Sequence, residues 1–203
     1  MSEEPLVVVV DDDESICESL TTLFESVALE VTCYTSAEDF LESWQSGRPG
    51  CLVLDLRMPG MSGLELQAEL NTRGHHLPIV FLTAHGNVTA AVRAMQAGAM
   101  DFLTKPVDDE ELIETVRKAI EQDIRSLRDR AAADRVRSRL ASLTPRETDV
   151  LEGVVAGKSN KVIARDLGIS HKTVELHRGH LMEKSQANSV ADLVKMYLSV
   201  YKA

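Results

Sequence analysis

Six residue positions in this chain could perform phosphoryl chemistry if the fold brought them together. Asp11, Asp12 and Asp13 follow the apolar run Leu6–Val10, and Asp55 follows Cys51–Leu54. Thr83 follows Ile79–Leu82, and Lys105 follows Phe102 and Leu103. Carboxylates gathered in one place repel one another unless a cation lies among them. Oxygen donors suit a small hard dication, Mg2+ above all. A carboxylate beside such an ion can accept a phosphoryl group as an aspartyl phosphate. The oxygens of the transferring group then need neutralising, which Mg2+ and Lys105 could do together. Thr83 could hydrogen-bond one of those oxygens. Taken singly, each residue has a plainer explanation. An aspartate after a strand caps the next helix, a lone lysine is a solvated charge, and a lone threonine is a loop hydroxyl. Three aspartates in a row exceed what capping needs, and the shared position at strand ends favours a site.

The elements that must position these groups alternate. Leu6–Val10, Glu30–Tyr34, Cys51–Leu54, Ile79–Leu82 and Phe102–Leu103 read as strands. Helical patterns follow each: Ile16 to Val27, a helix opened by Ser36 with Asp39 as its capping partner, one after Gly63, one through Val92 and Met95 that stops at Gly98, and one from Asp109. Five βα units imply a parallel sheet with helices on both faces. Ligands of such sheets sit at the carboxyl ends of the strands, where the six residues fall.

Charge divides the chain. The total is −10 over 203 residues, but residues 1–122 carry −15, residues 123–140 carry +3 and residues 141–203 carry +2. The sign change predicts a boundary near residue 123. The whole-chain acidity argues against nucleic acid as a partner, yet it averages unlike halves. Apolar residues at 44% are enough for a core. No apolar run approaches the eighteen or so residues that span a membrane. The N-terminal MSEEPLVVVV lacks the basic flank and cleavage site of a signal peptide. Cys17, Cys33 and Cys51 have no CxxC spacing, so buried structural thiols in a reducing cytoplasm are expected.

The second half shows no strand signal. Helices fit at about 145–156, 160–167, 171–184 and 189–201, and residues 109–140 read as one long helix or a hinged one. Thr144-Pro145-Arg146-Glu147 is a compact helix start. Gly168-Ile169-Ser170 is a tight turn between two short helices, the pattern of a helix-turn-helix whose second helix enters the major groove. Helix pairs are common, so this pattern alone is a modest signal.

Two resemblances sharpen the reading. VVDDDES, LVLDLRMPGMSG, FLTAHG and DFLTKPV, over about residues 5–122, resemble the signature segments of a response-regulator receiver domain. The resemblance implies a flavodoxin-like α/β fold with a five-stranded parallel sheet in the order 2-1-3-4-5. It implies Asp55 as phosphoacceptor; Asp11, Asp12, Asp55 and the Arg57 backbone carbonyl around Mg2+ (Mn2+ as a substitute); and Thr83, Phe102 and Lys105 as switch and phosphate-binding residues. It also implies a cis Lys105-Pro106 peptide. Asp13, a third acid, is assigned to capping or solvent.

LTPRETDVLEGVVAGKSNKVIARDLGISHKTVELHRGHLMEK resembles the DNA-binding domain of the LuxR family. Together the two segments resemble the NarL/FixJ class, FixJ-like branch: receiver 1–122, helical linker 123–140, and an all-α helix-turn-helix domain 141–203. Lys172, Glu175, Leu176 and Gly179 share one face of the third helix by spacing. Glu175 could accept from a cytosine amino group and Leu176 could touch a thymine methyl. Lys161, Lys172, Arg178 and Lys184 suit phosphates, and Thr173 and His177 complete the candidate contacts. Glu175 is also an ordinary solvated helix charge. His171, His177 and His180 have no i, i+4 pairing, which argues against a metal. Ser185 stands where the family places an apolar residue, so contact between the last two helices is expected to weaken. The spacing of Ile120, Ile124, Leu127 and Ala131 suggests a short coiled-coil seam.

The reading that results is a cytoplasmic, non-enzymatic transcription regulator. Its partners are a sensor histidine kinase, promoter DNA, RNA polymerase and, once phosphorylated, a second copy of itself; it has no membrane partner. Two other classes compete: a receiver acting through protein contacts without DNA, and a metal-dependent phosphatase, which lacks its DxDx(T/V) motif here.

Overall fold

The computed structural model describes residues 4–44 and 47–201; Met1–Glu3, part of the stretch read for a leader, lie outside the described residues. The chain divides into two compact units between Leu127 and Arg128.

The first unit alternates β1 (Leu6–Val10), α1 (Glu14–Ser26), β2 (Glu30–Tyr34), α2 (Ala37–Ser43), β3 (Gly50–Leu54), α3 (Gly63–Thr72), β4 (Ile79–Thr83), α4 (Val88–Gln96) and β5 (Asp101–Thr104), and ends in the first part of α5 (Asp109–Ala141). The strands form one parallel sheet in the order β2-β1-β3-β4-β5. Side chains alternate across a strand, so one apolar run feeds two cores. Leu6, Val8 and Val10 join Phe40, Leu66 and Leu70 on the face covered by α2, α3 and α4. Val7 and Val9 join Phe24, Leu112 and Val116 on the face covered by α1 and α5. Burial on both faces is why these strands read as unbroken hydrophobic runs. Each fully buried large side chain, such as Phe81, contributes about 1.5–3 kcal/mol.

Helix starts are set by side chains. Asp13 caps α1, Ser36 caps α2 and Asn87 caps α4. Ser62 and Glu65 form a reciprocal capping box on α3. On α4 the small residues Ala90 and Ala94 face the sheet, while Val88, Val92 and Met95 face outward at 81%, 48% and 46% exposure.

The second unit contains α6 (Pro145–Val155), α7 (Asn160–Leu167), α8 (His171–Ser185) and α9 (Val190–Tyr201). Val150, Leu151, Ile163, Val174, Leu181 and Leu193 form its core. Thr144 and Glu147 make the capping box that the sequence suggests. Gly168 takes the left-handed conformation (φ 68°) that ends α7 and turns the chain toward α8. Buried Ser185 is satisfied locally, its hydroxyl donating to the Met182 carbonyl (3.3 Å) and accepting from the Ala187 N–H (3.3 Å).

Helix α5 is continuous through the division between the units. Of the seam expected along it, Ile120 and Ile124 pack into the α1/α5 face of the sheet. Their 4-residue spacing serves that core. Further along, Val136 and Leu140 belong to the core of the second unit.

Candidate functional site

Strand ends gather the predicted residues of the first unit. Asp11 follows β1, Asp55 follows β3, Thr83 closes β4, and Lys105 follows β5. Asp55 is tied to the sheet by its N–H, which donates to the Val10 carbonyl (2.9 Å). Asp11, Asp55 and Thr83 are buried, at 4%, 7% and 0% exposure, whereas Asp12 is exposed. The Lys105 ammonium reaches across the sheet edge to Asp11 Oδ2 (2.5 Å) and Asp55 Oδ1 (3.8 Å). A single lysine thus faces two buried carboxylates.

Backbone donors hold both acids. The Asp13 N–H donates to Asp11 Oδ1 (3.1 Å) and the Arg57 N–H to Asp55 Oδ2 (2.7 Å). Burial pushes the Asp11 carboxyl above the usual carboxylate range; its bonds to Lys105 and Asp13 pull it back, and the neighbouring Asp55 raises it again. Asp13 itself accepts from the N–H and hydroxyl of Ser15, which hold its carboxyl below the usual range. It is therefore the helix cap. The donor set around Asp11 and Asp55 is all oxygen, with more negative than positive charge, which fits a hard dication.

Thr83 and Phe102 are in reach of the same edge. The Thr83 hydroxyl accepts from the His85 N–H (3.1 Å), and its carbonyl accepts from the Lys105 N–H (2.9 Å). Phe102 is half-buried with its ring tilted against Phe81 (centroids 5.8 Å apart). The Lys105-Pro106 peptide is cis.

Two supports escape the sequence reading. A Cβ at Gly63 would lie 2.1 Å from the Asp55 carbonyl oxygen, so only glycine lets α3 start this close to the site. Glu38 of α2 accepts from the Met61 N–H (3.0 Å) and so fastens the loop after Asp55. Gly63 closes the Gly60-Met61-Ser62-Gly63 segment, but its contact is tertiary. Glu38 carries no local signal.

The cysteines are free and behave as packing residues. Cys17 and Cys51 are buried, and Cys33 is half-buried. Burial pushes the Cys17 thiol up to about 12 and the Cys51 thiol higher still.

In the second unit, Lys172, Glu175, Leu176 and Gly179 are all exposed along α8, Leu176 at 57%. With Ser170 and Thr173, the first three line a shallow depression. Thr173 is partly committed, its hydroxyl 2.8 Å from that of the capping Ser170. Nothing lies within 4 Å of a Cβ at Gly179, so the helix surface there is open. Lys161 is exposed and Arg178 half-buried.

Two of the expected contacts sit differently. Lys184 is engaged with buried Glu147 (2.7 Å), which draws its charge into the helix junction rather than toward a phosphate. His177 is half-buried with Nδ1 shut off from solvent and without a hydrogen-bond partner among the described residues. His177 and His180 are three apart, and that spacing shares a helix face as i, i+4 does; their ring nitrogens converge with Glu147.

No helix of the described residues is long and apolar enough to cross a membrane. Residues 7–117 match the response regulator receiver domain family, and residues 141–197 match the luxR family of bacterial regulatory proteins. The chain is 48% identical to the transcriptional regulatory protein FixJ of Azorhizobium caulinodans over 98% of this chain and 94% of that protein. It is 44% identical to nodulation protein W of Bradyrhizobium diazoefficiens over 96% of this chain and 86% of that protein. Among solved structures, the response regulator StyR matches with a TM-score of 0.87 and 42% identity, covering 96% of this chain and 98% of that one.

Proposed function

Because the chain belongs to the NarL/FixJ-class response regulators, phosphorylation-activated transcription regulators that join a receiver to a LuxR-family DNA-binding domain, we propose that Asp55 accepts a phosphoryl group from a sensor histidine kinase and that this releases operator binding. The observation that carries the reading is the convergence of Asp11, Asp55, Thr83 and Lys105 at one sheet edge, with Lys105 facing both carboxylates. Asp55 Oδ1 is the nucleophile, since Oδ2 is held by the Arg57 N–H. It attacks phosphorus with a carboxylate lone pair, the bond from phosphorus to the donor nitrogen breaks with its electron pair staying on nitrogen, and the departing imidazole takes a proton from solvent. Asp11, Asp12, Asp55 and the Arg57 carbonyl would hold Mg2+, or Mn2+ in its place. Bound there, the ion supplies charge neutralisation of the phosphoryl oxygens. Lys105 exchanges its bond to Asp11 for a phosphoryl oxygen. Thr83 leaves the His85 N–H to bond another, and Phe102 follows into the vacated space.

The outward apolar row Val88, Val92 and Met95 on α4 supports dimerisation of phosphorylated chains through the α4–β5 face. Two output units then meet a two-fold operator, with Glu175 and Leu176 at base edges, and Lys161, Lys172, Thr173 and Arg178 at phosphates. Gly179 allows close approach, and His177 orients the helix from within. Lys184 reaches phosphate only by leaving Glu147. A cytoplasmic site of action and recruitment of RNA polymerase follow from this role. The luxR-family match removes the support for a receiver working without DNA, and the position of Asp55 in DLRMPGMSG removes that for a phosphatase.

Promoter binding and oligomeric state of the full chain, with and without a small-molecule phosphodonor and Mg2+, test the reading. A rise in dimer and in affinity is expected, absent in Asp55→Asn. A donor that changes neither overturns it.

A further inference from the structure

The junction of α6 and α8 holds a cluster of metal-ligand-type side chains. One ligand atom each from Glu147, His177 and His180 lie within 4.8 Å of one another. Glu147 is 3% exposed, and its bonds to Lys184 and to the Thr144 backbone hold its carboxyl near 2, so it is a buried carboxylate anion. Those bonds occupy Oε2: the Thr144 N–H donates to it (2.8 Å) and the Lys184 ammonium sits 2.7 Å away. Oε1 is turned toward His180 Nδ1 at 3.6 Å, beyond hydrogen-bond length. His177 Nδ1 is a buried polar atom with no partner among the described residues, an uncommon state in a folded protein. The His180 side chain is 49% exposed, which leaves an approach from solvent.

We propose that Glu147, His177 and His180 form a binding site for a divalent transition-metal ion of the zinc class. Two imidazoles and one carboxylate select such borderline ions over Mg2+ or Ca2+, which prefer oxygen alone. Bonds of about 2.0–2.2 Å bring neighbouring ligand atoms of a tetrahedral ion to roughly 3.4 Å, so the cluster contracts on binding. His180, on the surface, supplies most of that movement. Three protein ligands leave a position for water. Lys184 opposes the ion, because its ammonium shares the same carboxylate. Ion and lysine therefore compete for Glu147, and an ion that wins loosens Lys184.

Calorimetric titration of the full chain with Zn2+, in excess Mg2+ to fill the carboxylates of the first unit, tests the proposal. One Zn2+ per chain with a micromolar or tighter Kd is expected. His180→Ala should weaken binding at least tenfold, on the order of a lost metal-site interaction, while leaving the metal-free circular dichroism and melting curve unchanged. Lys184→Met should tighten binding several-fold, the opposite of what general damage would do. The proposal is overturned if no stoichiometric Zn2+ binds, if His180→Ala binds Zn2+ as the parent does (which would place the ion on other groups, the thiols of the first unit included), or if Lys184→Met weakens binding.

Discussion

At the scale of single residues, the chain uses the same chemical group in opposite ways according to burial. Asp11 is buried against another acid and is raised, whereas Asp13, two residues on, is exposed, bonded to Ser15 and lowered. One serves a site and the other a helix end. Gly63 is as constrained as either. Alanine there would gain about 1 kcal/mol of helix propensity, but its Cβ would lie 2.1 Å from the Asp55 carbonyl. Overpacking of that kind costs about 1–3 kcal/mol, so the clash wins. Gly63→Ala should lower the melting temperature by a few degrees and slow phosphorylation from a small-molecule donor; an unchanged rate would separate Gly63 from the site. Glu147 gives a pH prediction. Its folded value near 2 lies below the ordinary 4.5, so its contribution to stability is complete above about 4.5 and is lost as pH falls toward 2. In chelator, the stability difference between the parent and Glu147→Gln should therefore be constant at neutral pH and shrink in acid. A difference that grows on acidification would refute the assignment.

At the scale of elements, helices α4 and α8 both show apolar side chains to solvent, for different ends. On α4 the alanines take the core and Val88, Val92 and Met95 the surface. Val92→Asp should leave folding intact and weaken the phosphorylated dimer by about tenfold or more, read by analytical ultracentrifugation; a dimer of parental strength would place the interface elsewhere. On α8, Lys172 and Glu175 have separable tasks. Lys172→Ala should weaken binding to all operator variants alike and reduce the salt slope by about 1, whereas Glu175→Ala should relax discrimination at one base pair, worth about 1–3 kcal/mol. Competition assays across single-base operator variants tell the two apart. Elements were largely legible in the sequence because their signals are local. Apolar runs, Gly168 and the capping pairs Ser36/Asp39 and Thr144/Glu147 lie within a few residues of what they specify. On α5, Ile120 and Ile124 keep the expected spacing but serve the sheet core, because spacing fixes which residues share a face, not what that face packs against.

At the scale of the whole molecule, the net charge of −10 divides into −15 before residue 123 and +5 after it. The receiver part and the part that carries the luxR-family domain thus have opposite net charge in one chain, and phosphorylation would make the acidic part more negative still. Charge masking therefore cannot be the switch, and a conformational release is required, which the proposed dimerisation would provide. If two output units engage one operator, the slope of log affinity against log salt should be about twice as steep for the phosphorylated chain; equal slopes would exclude paired binding. The sequence by itself determined the alternation of strands and helices, the two charge regimes, and the identity of the acids, hydroxyl and lysine at the strand ends. Those are properties of residue type and short spacing. Only the tertiary structure decided what meets across the chain: Lys105 facing both Asp11 and Asp55, Glu38 clamping the loop at Met61, Lys184 drawn onto Glu147, and His177 and His180 converging on that same glutamate. The partners in these contacts lie from 23 to 94 residues apart, and a burial or a distance over such spans is set by packing, which no local pattern encodes.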